Sequence, residues 1–214
     1  TSLWGAAVIH DGSLFKMWYC GLHDGIKRAG YAWSDDGTDW HKYYEHNPVM
    51  DVRPGFFDER EVKPGAVVLR GGLYQMWYTG ATVWNAPPYD WRIGYAESND
   101  GITWLRRSEP VLVPGLPWEG YFLYGPSVLF DGATYHIWYT GGGYGSRDIG
   151  YAVSPDGIVW TKCAGNPVID SPPGEKYDFP NVLVDDEELF WMWYHAVVSE
   201  DIRLATSDCC GVMI

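Results

Sequence analysis

Three short strings in the chain pair an aromatic ring with a carboxylate. They are Phe57-Asp58, Trp118-Glu119 and Tyr177-Asp178, and each stands ahead of an apolar run. Glu61 follows the first of them closely. Grouped carboxylates can share proton-transfer work, with one donating and another receiving. Equally, a repeated carboxylate can pair with Arg or Lys and hold two segments together. Both readings stay open for Asp58, Glu119 and Asp178. A second set of groups suits binding. The string "TVWNAPPYDWR" carries Trp84, Tyr89, Trp91, Asp90 and Arg92, where rings could cover an apolar face while polar groups hold hydroxyls. Tyr124, Arg147 and His195 join this set as binding candidates, and Arg28, Arg92 and Arg147 are cations within reach of the carboxylates.

Composition narrows the partners. The 214 residues carry 15 Lys and Arg against 28 Asp and Glu, a net charge of −13. Such a surface repels phosphate backbones and anionic membranes, so neither nucleic acid nor a membrane is expected as partner. No apolar run is long enough for a spanning helix. Aromatic residues make up 17% of the chain, beside 26 Gly and 14 Pro, a mixture that reads as many short strands and tight turns. The cysteines Cys20, Cys163, Cys209 and Cys210 lack zinc-site spacing and read as free thiols. No metal or cofactor is expected, and localisation stays open.

The elements that must position these groups repeat. "KMWYCG", "QMWYTG", "HIWYTG" and "WMWYHA" place Tyr19, Tyr78, Tyr139 and Tyr194 at spacings of 59, 61 and 55 residues. "GYAWSDDGTDW", "GYAESNDGITW" and "GYAVSPDGIVW" follow the first three, and each unit then closes on "NPVM", "EPVL" or "NPVI". The third unit reads as four strands: "PSVLFD", "TYHIWYTG", "IGYAVS" and "IVWTKC". Four antiparallel strands per unit form a propeller blade. In the turns, Asp36, Asp100 and Asp156 accept backbone N–H groups, and Gly37, Gly101 and Gly157 supply positive φ. Trp40, Trp104 and Trp160 then pack between blades, while Trp18, Trp77, Trp138 and Trp193 serve the core.

These strings, of the form "DGxxYxMWYTG…IGYAxSxDGxxWxKxxxNPV", resemble the five-bladed β-propeller glycosidase superfamily, which includes glycoside hydrolase families 43, 32, 68 and 130. The resemblance covers nearly the whole chain. It implies an all-β propeller with about four blades present, three complete four-stranded units and one incomplete, at about 5–50, 63–112, 125–169 and 180–214 of a single domain 1–214. Five units of about 58 residues would need roughly 290. The ring is thus expected to be short of a blade, and its open strand edges predict pairing with a second copy. The resemblance also implies carbohydrate as partner and hydrolysis of plant or microbial polysaccharide or oligosaccharide by paired carboxylates. Glu119 would be the general acid, Asp58 or Glu61 the base, and Asp178 the modulator or second base. The superfamily's base stands in an Asp-Pro-like motif at the start of an inner strand. Here Lys63, Gly125 and Phe179 precede the strand prolines, which favours a non-catalytic carbohydrate-binding or assembly module as the alternative.

Overall fold

The computed structural model describes residues 2–83, 90–143, 145–187 and 189–207, with side chains from residue 5 onward. Fifteen strands are present among them and no α-helix; the only helical element is a 3-10 turn at Pro117–Glu119. Contacts divide the chain into two compact units, Thr1–Pro110 and Val111–Ile214.

The first unit holds two antiparallel blades. β1 (Ser2–His10), β2 (Phe15–His23), β3 (Ile26–Ser34) and the two-residue β4 (His41–Lys42) form one. β5 (Glu61–Arg70), β6 (Leu73–Ala81), β7 (Arg92–Ser98) and β8 (Leu105–Arg106) form the other. A single parallel pair, Lys27 with Glu61, joins β3 to β5. In the second unit, β9 (Phe122–Phe130) runs beside β10 (Tyr135–Gly142), which pairs with β11 (Arg147–Ser154) and β12 (Thr161–Lys162). β13 (Tyr177–Val184), β14 (Phe190–Ala196) and β15 (Asp201–Ser207) complete it. The fourth strand of each full unit is shorter than the sequence suggests. Trp160 lies outside β12, because the Asp-Gly turn occupies the residues up to it.

The turn chemistry explains these hairpins. Asp36 accepts the N–H groups of Thr38 and Asp39, Asp100 those of Ile102 and Thr103, and Asp156 those of Ile158 and Val159. The glycines after them have φ of 78°, 77° and 76°, a region closed to most side chains. The second turn also reaches its neighbour. Trp18 donates from Nε1 to the Gly101 carbonyl at 2.7 Å, and Trp104 meets the Trp18 ring edge-on at 5.8 Å. Trp104 therefore packs between blades as its spacing predicts.

Core formation follows the same repeat. Trp18, Met76 and Tyr78 are buried in the first unit with Tyr31 and Val62. Trp138, Ile149 and Met192 do the same in the second. Trp193 differs from its counterparts: it is partly exposed on β14 and not in the core. Cys20 is buried and Cys163 half-buried, both as free thiols, while Cys209 and Cys210 lie outside the described residues.

Candidate functional site

Asp58 and Glu119 sit in matching sockets. Asp58 has no exposed surface; it accepts from Arg53, from Arg106 Nη1 at 3.0 Å and from the Tyr78 hydroxyl at 3.0 Å. Glu119 is equally buried. It accepts from Lys162 Nζ at 2.6 Å, the Tyr139 hydroxyl at 2.8 Å and the backbone N–H groups of Gly115 and Leu116. The preceding rings stack on the same tyrosines, Phe57 on Tyr78 at 6.0 Å and Trp118 on Tyr139 at 6.1 Å. Glycine makes room for them. A Cβ on Gly80 would meet Phe57 at 2.6 Å, and one on Gly141 would meet Trp118 at 2.9 Å. Each aromatic–acidic pair thus fastens the segment leading into a blade onto that blade's own strands. Burial and the facing carboxylate push both phenols, Tyr78 and Tyr139, far above their ordinary value, so they remain donors.

The cations of these sockets were legible in the repeat. Arg106 and Lys162 stand two residues after Trp104 and Trp160, the "WxK" of the repeated string. The sequence could not show which carboxylate each would meet, since the pairs lie 48 and 43 residues apart. Glu61 proves to be the first residue of β5 and not part of the lead-in loop. Its carboxylate pairs with Lys27 Nζ at 2.9 Å, both side chains buried.

Asp178 is placed differently. It lies within β13, opposite His195 on β14 and just ahead of a bulge. Trp4 and Lys63 hold that register on β1 and β5, facing Cys20 and Thr79. The distinction was readable from spacing. Asp178 is two residues before its proline, Pro180, whereas Asp58 and Glu119 are six and seven residues before Pro64 and Pro126. Arg147 Nη1 reaches Asp178 Oδ2 at 2.6 Å and the Tyr124 oxygen at 3.0 Å, and the Tyr124 hydroxyl donates to Asp178 Oδ1. Burial works against the Arg147 charge, but Tyr124 and Asp178 more than offset it. Burial raises the Tyr124 phenol well above its usual range, with the Asp178 charge adding to it. The carboxylate is therefore an acceptor for a cation and a phenol. Next to it Phe179 has φ of 53° and is 41% exposed, and its ring meets Tyr124 edge-on at 5.3 Å. A bulky residue in the left-handed region is strained, and such strain gathers at functional positions.

Of the binding candidates, Tyr124, Arg147 and His195 thus lie around Asp178 in the second unit. Trp91 and Arg92 lie in the first, where Arg92 opens β7 and donates to the Trp91 carbonyl at 3.0 Å. Asp90 is taken up by Thr82 and Val83. Trp84 and Tyr89 fall outside the described residues. Arg28 pairs with Asp51 at 2.6 Å, whereas Arg147 meets one of the candidate carboxylates, Asp178. Among the described residues no cluster of His, Cys, Asp or Glu could hold a metal ion.

Comparison with known proteins bears on this geometry. A family profile described as β-1,4-mannooligosaccharide phosphorylase, glycoside hydrolase family 130, matches residues 88–209. An uncharacterised Mycobacterium tuberculosis protein, Rv1502, is 31% identical over 155 residues, covering 68% of this chain and 48% of its own length. The chain spans about half the length of the curated relatives it matches. Among solved structures, a glycoside hydrolase superposes with a TM-score of 0.80 at 20% identity, over 96% of this chain and 70% of that one. Zg3597, a family 117 glycoside hydrolase produced by the marine bacterium Zobellia galactanivorans, gives 0.76 at 15% identity, over 97% and 66%. The fold is that of the β-propeller glycosidases.

Proposed function

The chain belongs to glycoside hydrolase family 130, and on that footing we propose that it processes carbohydrate at a site built around Asp178, Arg147 and Tyr124. One observation carries the reading: of the candidate acids, Asp178 alone stands at an inner-strand bulge beside a strained, part-exposed ring. Phe179 offers a face for the C–H side of a sugar. Arg147 and His195 offer groups for its hydroxyls. Asp178, fed by two donors, serves as base or hydroxyl acceptor and not as proton donor. Asp58, Glu61 and Glu119, each occupied by a cation, hold the scaffold in this reading. Asp178 is buried and cation-paired too, so what sets it apart from Glu119 and Asp58 is its place at the strand bulge beside Phe179.

β-1,4-Linked mannooligosaccharides are the first substrates to try, with and without inorganic phosphate. Hydrolysis releases mannose, and phosphorolysis releases mannose 1-phosphate. Asp178→Asn should lower turnover about 100-fold or more, the scale of a lost acid–base group, with the fold intact by circular dichroism. Wild-type turnover in Asp178→Asn would overturn the site. A second reading, a non-catalytic binding module, draws support from Lys63 and Tyr124 at the corresponding lead-in positions of other inner strands. It expects saturable sugar binding, weakened by Asp178→Asn, with no bond cleavage.

A further inference from the structure

The chain contains six Asp-Gly steps, at Asp11-Gly12, Asp24-Gly25, Asp36-Gly37, Asp100-Gly101, Asp131-Gly132 and Asp156-Gly157. In five of them the carboxylate is taken up by its own turn. Asp11 accepts the N–H groups of Ser13 and Leu14, and Asp131 those of Ala133 and Thr134. Asp36, Asp100 and Asp156 hold the corresponding pairs two and three residues on. All five carboxyls lie below the ordinary aspartate value. Lys16 does most to lower Asp11, and His136 most to lower Asp131. Backbone N–H groups lead for Asp36 and Asp156, and at Asp100 they overcome burial. Asp24-Gly25 is built otherwise. It is the whole two-residue turn between β2 and β3, with φ of 51° and 71°, the signature of a type I′ hairpin. The Asp24 side chain is 82% exposed, and among the described residues its carboxylate meets only His23 Nε2, at 3.3 Å. His23 is exposed as well, so solvent screens that contact. A Cβ on Gly25 would find nothing within 4 Å, so the far side of the turn is open too.

We propose that Asp24-Gly25 is a modification site, where the aspartate converts to isoaspartate through a cyclic succinimide. The Gly25 nitrogen attacks Asp24 Cγ. A C–N bond forms as a Cγ–O bond breaks, and the hydroxyl leaves with the amide proton as water. Solvent water then opens the ring at the former peptide carbonyl, and the chain continues through the side-chain carboxyl. Two things are needed: the carboxyl must carry a proton to lose hydroxyl, and Cγ must swing onto the next nitrogen. The other five turns oppose both, because their carboxylates stay ionised and tied to later N–H groups. Glycine follows the aspartate in all six steps, so the tether and not the neighbour sets Asp24 apart. The product lengthens the turn by one backbone carbon, which displaces the His23–Ile26 pair that closes the hairpin. None of this depends on activity at Asp178.

The test ages the whole folded chain in warm neutral buffer. Isoaspartate is read by labelling with an isoaspartyl methyltransferase and located by peptide mapping with electron-transfer fragmentation. Label should accumulate on the peptide carrying residues 24–25 about tenfold faster than on any other Asp-Gly peptide, the scale of one charge-assisted hydrogen bond that must first break. In the chain unfolded by urea the tethers are gone, and the six steps should label at comparable rates. Asp24→Glu should remove the fast label, because glutamate would need a larger ring. Asp24→Asn should label faster, since it reaches the same succinimide by releasing ammonia. Equal labelling of the six steps in the folded chain, or faster labelling at another step, would overturn the proposal. So would a folded chain spared at Asp24 while the unfolded chain labels there, a fast label that survives Asp24→Glu, or the same preference for Asp24 in urea.

Discussion

Glu119 shows how completely a carboxylate can be taken up by its own fold. Four donors converge on it, one of them the Lys162 ammonium, and it has no exposed surface. Removing one member of a buried pair strands the other, at a cost of about 3–5 kcal/mol. Glu119→Gln is expected to lower stability by about 3 kcal/mol in urea denaturation, while any turnover at the proposed Asp178 site persists in the folded fraction. An unchanged denaturation midpoint would show that the socket contributes little. The sequence made Asp58, Glu119 and Asp178 look alike, since each follows an aromatic residue. Their difference lies in where each meets its strand, and the spacing to the next proline records it. What no local string records is the partner, because Arg106 and Lys162 arrive from the far end of the same blade.

At the level of the strand and its turn, local chemistry settles most of the structure. The Asp-Gly turns form as their residues dictate, because positive φ and side-chain acceptance of backbone N–H are short-range requirements. The brevity of β4, β8 and β12 was less legible, since it depends on how the "NPV" segment bridges back to the third strand. Gly101 joins the two levels. Its φ of 77° disfavours a side chain on backbone grounds, and a Cβ there would also meet Trp18 at 2.9 Å. Gly25, at φ of 71°, has nothing within 4 Å. Gly25→Ala should therefore cost about 1 kcal/mol, the backbone penalty alone. Gly101→Ala should cost about 3 kcal/mol, because it also displaces Trp18 and its bond to the Gly101 carbonyl. Chemical denaturation of the two variants reads the difference directly, and equal losses would remove Trp18 from the explanation.

For the molecule as a whole, acid stability follows from these turns. The His136 bond and two backbone N–H groups hold Asp131 down at about 2. Backbone N–H groups from Lys176 and Val198 hold Glu175 at about 2. Asp36, Asp100 and Asp156 are lowered too; backbone N–H groups lead for Asp36 and Asp156 and overcome burial for Asp100. Groups depressed on folding stabilise the folded state above their unfolded value, near 4, and lose that contribution as pH falls toward 2. The thermal midpoint should be flat above about pH 5 and should fall steeply between about 4 and 2. A midpoint that stays level down to pH 2 would contradict this assignment.

Each aromatic–acidic lock fastens a lead-in segment to the blade that follows it in the chain, never to the one before. Phe57-Asp58 closes on β6 and β8, and Trp118-Glu119 closes on β10 and β12. A stretch running from one lead-in to the closing "EPV" or "NPV" therefore carries all the parts of its own fastening. Copied by gene duplication or exchanged by recombination, such a cassette would bring its lock with it, leaving only blade-to-blade bonds such as Trp18 to Gly101 and Lys27 to Glu61 to be made anew. The near-identical spacing of the repeats is what a lineage grown by copying whole cassettes would leave behind.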